Sequence, residues 1–241
     1  EYADGSVWLA GAADSLHRLD VATDEVEELV EGGVREVATD GDQVWIAQAE
    51  GITAVDAASG TVGGPADVAD VTDVGGLVVD AGVLWAWTDF GSELTRIDTA
   101  TGDTTSGFVA SGLGAVVPAG DVIWVAGEDE LEAVDPTSLE GDDAADLPAR
   151  AGAVALDPAT GLLVIGYDGG SVATYAPATG TLSDPVSVAG DDISAVVVVD
   201  EMAWVGAEDG TFVALDPATL AVQETVELTD AANRIAIAVE R

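Results

Sequence analysis

The sequence predicts an all-β chain: a six-bladed β-propeller of four-stranded antiparallel blades, closed by pairing the C-terminal strand with the N-terminal blade. Three observations predict it. One phrase returns along the chain, as "DGSVWLAGAADSLHRLD" at 4–20, "DQVWIAQAEGITAVD" at 42–56, "GVLWAWTDFGSELTRID" at 82–98 and "DVIWVAGEDELEAVD" at 121–135. Its anchor falls at Trp8, Trp45, Trp85 and Trp124, is replaced by Val164 and returns at Trp204, at intervals of 37, 40, 39, 40 and 40 residues. The composition is that of strands and turns, with 35 valines, 29 glycines and 8 prolines in 241 residues. Valine suits the pleated sheet; glycine and proline suit the turns.

Each unit reads in the same order. An apolar strand comes first ("GGLVVDAG", "SAVVVVDE"), and its unbroken apolar run is that of a strand packed on both faces. A tight turn holding Asp or Gly follows, then the anchor strand. A third strand ends in Asp20, Asp56, Asp98, Asp135 and Asp216, whereas the fifth unit has Tyr175 and Ala176 instead. The fourth ("TVGGPADVAD", "LSDPVSVAG") mixes polar residues, as an exposed edge does. At the ends, "RIAIAVER" (234–241) is an innermost strand with no successors, and "EYADGSVW" lacks a full innermost strand. Each supplies what the other lacks. The blades therefore span about 234–241 with 1–31, then 33–71, 74–112, 114–149, 152–190 and 193–231, in a single domain over 1–241. The alternative is that "RIAIAVER" opens a seventh blade of a longer chain.

Charge sets the environment. There are 46 acidic residues against six arginines, no lysine, and a net charge of −40. On a folded chain of this mass, carboxylates sit roughly 15 Å apart. They repel at about 0.1 M salt, where the Debye length is near 10 Å, and are screened near 1 M. The surface reads as salt-adapted, and nucleic acid and anionic membranes are poor partners for it. No apolar run reaches the roughly 18 residues of a membrane span. With no cysteine, disulfides, zinc–thiolate sites and cysteine nucleophiles are excluded.

The phrases "DGSVWLAG…RLDVAT", "DQVWIAQ…AVDAASG" and "DPATG" resemble repeats of bacterial and archaeal propellers of the pyrroloquinoline-quinone-like, YVTN and NHL-type group. With the acid-rich, lysine-free composition, the opening is also similar to extracellular propeller segments of actinobacterial surface proteins that carry immunoglobulin-like or fibronectin type III domains. The resemblance covers the whole chain. It implies extracytoplasmic scaffolding or binding, and a place outside the cell or on its surface, reached through segments not in this sequence. Quinone-dependent members need a convergent set of basic, acidic and polar groups, and streptogramin-lyase-like members a histidine with carboxylate partners. This chain has only His17, in mid-repeat.

Among candidate sites, the repeated aspartates read as turn caps, one per blade and too far apart to share an ion. The anchor tryptophans read as packing between blades. Trp87 stands two residues after its anchor, where the other units keep Ala10, Ala47, Ala126, Gly166 and Gly206. Its ring either fills a void or meets a ligand, and Tyr167 is a second candidate of that kind. The loops between second and third strands carry Asp14, Glu50, Asp89, Glu128 with Asp129, Asp168, and Glu208 with Asp209. In a propeller these share one face, where a ring of carboxylates is able to hold Ca²⁺ or attract a basic partner. The plainer explanation is that acids fill most loops of so acidic a chain.

The expected function is that of a non-catalytic extracellular interaction or scaffold propeller, monomeric as a domain, with a protein or glycan partner, no nucleic-acid partner and no cofactor other than Ca²⁺. The alternatives are a carboxylate-based hydrolase or lyase on the acidic face, marked by two acids in a cleft beside Trp87 or Tyr167, and a sugar-binding propeller lectin.

Overall fold

The computed structural model describes residues 1–10, 15–63, 71–88 and 91–227. These form six antiparallel sheets, every described regular element being a strand, in the fold class of a six-bladed β-propeller. Within the sheets the strands follow chain order. The first sheet runs from Tyr2–Ala3 to Val26–Val30, and the second from Glu36–Thr39 to Gly51–Asp56 with three strands among the described residues. The third runs from Val74–Asp80 to Thr104–Phe108, the fourth from Ala115–Pro118 to Gly141–Asp146. The fifth begins at Ala151–Leu156 and the sixth ends at Val222–Glu227. The chain divides into two compact units at Phe108 and Val109, so three sheets lie in each. Among the described residues no helix is long and apolar enough to cross a membrane.

At the N-terminus the first sheet has only a stub of innermost strand. Tyr2 and Ala3 pair with Val7 and Ser6, and the Glu1 and Trp8 backbones exchange hydrogen bonds, Trp8 N–H to Glu1 O at 2.7 Å and the terminal amine to Trp8 O at 3.0 Å. The segment 234–241, expected to complete this blade, lies outside the described residues.

The anchors show what the repeat is for. Trp8 packs with Val34, Val44, Ile46 and Val55 of the second blade. Trp45 packs with Val74, Leu77 and Leu84 of the third, Trp124 with Leu163 and Ile165 of the fifth, and Val164 with Ile193 and Val205 of the sixth. In these four blades the anchor faces the next one. The small residue two places on admits that blade's innermost strand: a side chain at Gly166 would collide with Ile193, and Ala47 and Ala126 lie in one core with Val74 and Ala151 respectively.

The innermost strands are less buried than their apolar run predicts. In Ile193–Val199 only Ile193 is buried and the rest are half-buried, whereas all of Ile123–Ala126, a second strand, is buried. The reason is position in the sheet. A second strand has neighbours on both sides and packing on both faces, while an innermost strand is an edge. The outermost strands behave as expected, with every residue of Val222–Glu227 exposed.

The repeated aspartates close the turns. Asp20 Oδ1 accepts from Ala22 and Thr23 N–H, Asp98 Oδ1 from Ala100 and Thr101, Asp135 Oδ1 from Thr137 and Ser138, and Asp216 Oδ1 from Ala218 and Thr219, all at 2.7–3.0 Å. In each, the residue four places on donates its N–H back to the aspartate carbonyl, as Gly102 does to Asp98 at 2.8 Å. That residue needs φ > 0, which Gly60 and Gly102 adopt without strain. The fifth blade keeps the turn after Tyr175 without the aspartate, Gly180 N–H donating to Ala176 O at 2.9 Å, and makes a second, aspartate-capped one a hairpin earlier, on Asp157 with Ala159 and Thr160. Amide donation holds the Asp20, Asp98 and Asp135 carboxyls below the usual aspartate range.

Candidate functional site

Blade three departs from the others. Across the sheet Trp87 pairs with Gly76 on one side and Leu94 on the other, and a side chain at Gly76 would collide with the indole. The ring therefore occupies the room that glycine leaves, and Trp87 is 9% exposed. Strand alternation puts Trp85 and Trp87 on one face and Leu84, Ala86 and Thr88 on the other. On this second face opens a cleft of about 380 Å³, lined by Thr72, Asp73, Thr88, Glu93, Thr95 and Ser106 among others and bordered by Trp87. Its floor follows from register: Thr95 pairs with Ala86 and with Ser106, and the Thr95 and Ser106 hydroxyls are 2.9 Å apart. Both carboxylates are exposed, and Asp73 meets Arg35 at 3.4 Å.

Tyr167, the other aromatic candidate, is fully buried among Trp124, Leu131 and Leu163. Its hydroxyl has no hydrogen-bond partner among the described residues, and burial pushes its pKa well up. It belongs to the packing between blades four and five.

Of the acidic loop residues, Asp14 and Asp89 lie outside the described residues. Glu50, Glu128, Asp129, Glu208 and Asp209 are exposed and Asp168 is half-buried. Asp209 fastens loops, accepting from Thr211 N–H at 2.9 Å and Gly190 N–H at 3.1 Å. The structure gathers Glu208 with two residues sequence reasoning missed, Asp191 and Asp192, their carboxylate oxygens within 4.8 Å of one another. Asp168 is pushed up by burial and then by the Asp192 charge, against Arg150 at 3.8 Å, which pulls it down. A second group, Glu130, Glu132 and Asp143, was also missed. Alternating acids in "EDELEAV" were its visible signal. Backbone amides meet both groups: Ala110 N–H donates to Glu132 at 2.9 Å, Ser111 N–H to Glu130 at 3.0 Å, and Gly169 N–H to Asp192 at 2.7 Å. Each donor offsets part of the charge of the carboxylate it meets.

Burial raises the Glu132 carboxyl above its ordinary 4.5, with Glu130 and Asp143 adding to the shift. A carboxyl raised in the fold opposes stability once it ionises, so this penalty is absent below the unfolded pKa and grows as pH rises through the folded one. Glu132→Gln keeps an acceptor for Ala110 and removes the charge. It is expected to melt above the parent at pH 7 and level with it near pH 3.5, measured by circular dichroism; equal melting at pH 7 contradicts the assignment.

His17, the lone histidine, sits in mid-strand with Leu9 and Glu28 as cross-strand partners. Among the described residues nothing joins it to a nucleophile.

No family model and no curated protein matches the chain. Solved structures do. A chain of the mitotic checkpoint complex aligns over 94% of this chain and 75% of its own at 18% identity, with a TM-score of 0.78. One of the nidogen/laminin complex aligns over 92% and 93% at 11% identity, with a TM-score of 0.71. The computationally designed Ika8 protein aligns over 96% and 86% at 14% identity, with a TM-score of 0.67. At such identities the likeness is one of fold.

Proposed function

We propose that this chain is a non-catalytic interaction module, a propeller of a secreted or cell-surface protein with PQQ-like, YVTN or NHL-type repeats, adapted to salt. One observation carries the reading: the residues that recur from blade to blade are consumed by architecture. The aspartates close turns and the anchors fill the space between blades. What differs between blades is left for recognition. Two similar structures come from protein complexes, which suits an interaction role. The reading needs no cofactor.

The competing reading, a carboxylate-based hydrolase or lyase, has one observation in its favour: Asp73 and Glu93 share the cleft that Trp87 borders. General acid catalysis calls for a carboxyl kept neutral by burial, and both of these are exposed, Asp73 beside a guanidinium. Binding fits better. Incubation with chromogenic glycosides and with neutral and uronate polysaccharides is expected to release no product. Turnover that vanishes in Glu93→Gln overturns the reading.

A further inference from the structure

The cleft of blade three is made by an exchange of bulk across the sheet. One place after the anchor, five blades carry Leu9, Ile46, Val125, Ile165 and Val205, and blade three alone carries alanine, Ala86. Two places after it, five blades carry Ala or Gly and blade three carries Trp87. Side-chain volume has moved from the cleft face to the opposite face, where Gly76 makes room for it. Third- and fourth-strand positions opposite Ala86 are hydroxyls, Thr95 and Ser106. Ala86 itself is buried in the core with Trp45, Leu77 and Leu84, and the hydroxyls beside it line a polar hollow.

We propose that this hollow binds a neutral saccharide, one or two sugar rings, through side-chain hydroxyls. Its volume of about 380 Å³ falls within the range of small-ligand sites, about 300–1,000 Å³. Thr72, Thr88, Thr95, Thr104 and Ser106 line it, and a hydroxyl both donates and accepts, as each sugar hydroxyl does. Thr95 and Ser106, tied to each other at 2.9 Å, each keep a lone pair for a ligand. Asp73 and Glu93 supply acceptors for charge-assisted bonds from sugar O–H groups. Among the described residues no Arg or His lines the hollow, so the wall holds two carboxylates and no cation of its own, which disfavours a phosphate or carboxylate ligand. Arg35 on Asp73 offsets part of the negative charge, which weakens the case for a cationic ligand. The inference gives the interaction module its ligand and rests on the non-catalytic reading.

The test is titration of the chain, followed by two-dimensional NMR, with neutral mono- and disaccharides, tetramethylammonium and inorganic phosphate at fixed ionic strength. A saccharide is expected to bind with a Kd on the order of 1 mM and to shift signals of the 71–74, 86–88 and 104–106 segments. Ala86→Ile, which adds bulk at a buried position beside the hollow, is expected to weaken binding more than tenfold and to lower the melting temperature. Ser106→Ala, at an exposed position, is expected to weaken binding likewise without touching the core. The proposal is overturned if no sugar shifts these signals at about 50 mM, if only tetramethylammonium or phosphate does, or if both variants bind as the parent. A sugar that is bound and then cleaved overturns the non-catalytic reading and leaves the site standing.

Discussion

Gly76→Ala is expected to destabilise the protein by about 1–3 kcal/mol, the usual cost of overpacking a filled site. The added methyl would enter the space held by the Trp87 indole. Nothing in the backbone forbids alanine there, since Gly76 is not among the residues with positive φ. Trp87→Ala is expected to lower stability by about 3–5 kcal/mol, because it empties the space over Gly76. The two changes meet at one contact and are not additive. With the indole gone, the methyl has room, and alanine is better than glycine in a strand by roughly 0.5–1 kcal/mol. In the Trp87→Ala background, Gly76→Ala is thus expected to be neutral or stabilising. Denaturant midpoints for the four proteins of the cycle measure this. Additive losses show that the ring does not rest on the glycine.

The second large effect is that of salt. Arg18–Glu27 at 2.7 Å, Arg35–Asp73 and Arg150–Asp168 are ion pairs among the described residues. With 46 acids against six arginines in the chain, most carboxylates have no cation beside them. Raising salt from about 0.1 to 1 M shortens the Debye length from about 10 Å to 3 Å, below the spacing of the charges. For a chain of this size each kcal/mol recovered moves Tm by about 2–4 °C, so several kcal/mol of relieved repulsion reads as roughly 10 °C. Most of the rise is expected below about 0.5 M NaCl, where screening acts. An equal osmolality of sucrose is expected to give a smaller, unsaturated rise. A flat NaCl profile contradicts the assignment.

Much of this was legible in the residues. The spacing of Trp8, Trp45, Trp85, Trp124, Val164 and Trp204 fixed the unit, and "VDPTSLEG" and its relatives fixed the turns, because both depend on neighbours close in sequence. Trp87 stood out for the same reason, as one large residue in a column of small ones. Its direction did not. Only register shows that Trp87 turns onto Gly76 while Ala86 opens the other face, and no local signal ties Ala86 to Thr95 and Ser106. Tyr167 illustrates the same limit. In sequence its ring was able either to fill a void or to meet a ligand, and the structure buries it in the core between two blades. The gathering of Asp191 and Asp192 with Glu208 joins a loop between blades to a hairpin of the sixth, which spacing alone does not reveal. The half-burial of the innermost strands depends on which strand ends a sheet, a property of assembly rather than composition.

The strand Val222–Glu227 ends its sheet with Glu224 and Glu227 beside Val222 and Val226, all exposed. Its outer rim of amides and carbonyls is a template on which another molecule's rim is able to zip. In dilute buffer two such rims carry like charge and push apart, so the carboxylates act as wardens against self-association. Brine disarms them. The ions expected to quiet repulsion within one molecule also let neighbouring molecules approach, so added salt is expected to trade solubility for thermal resistance.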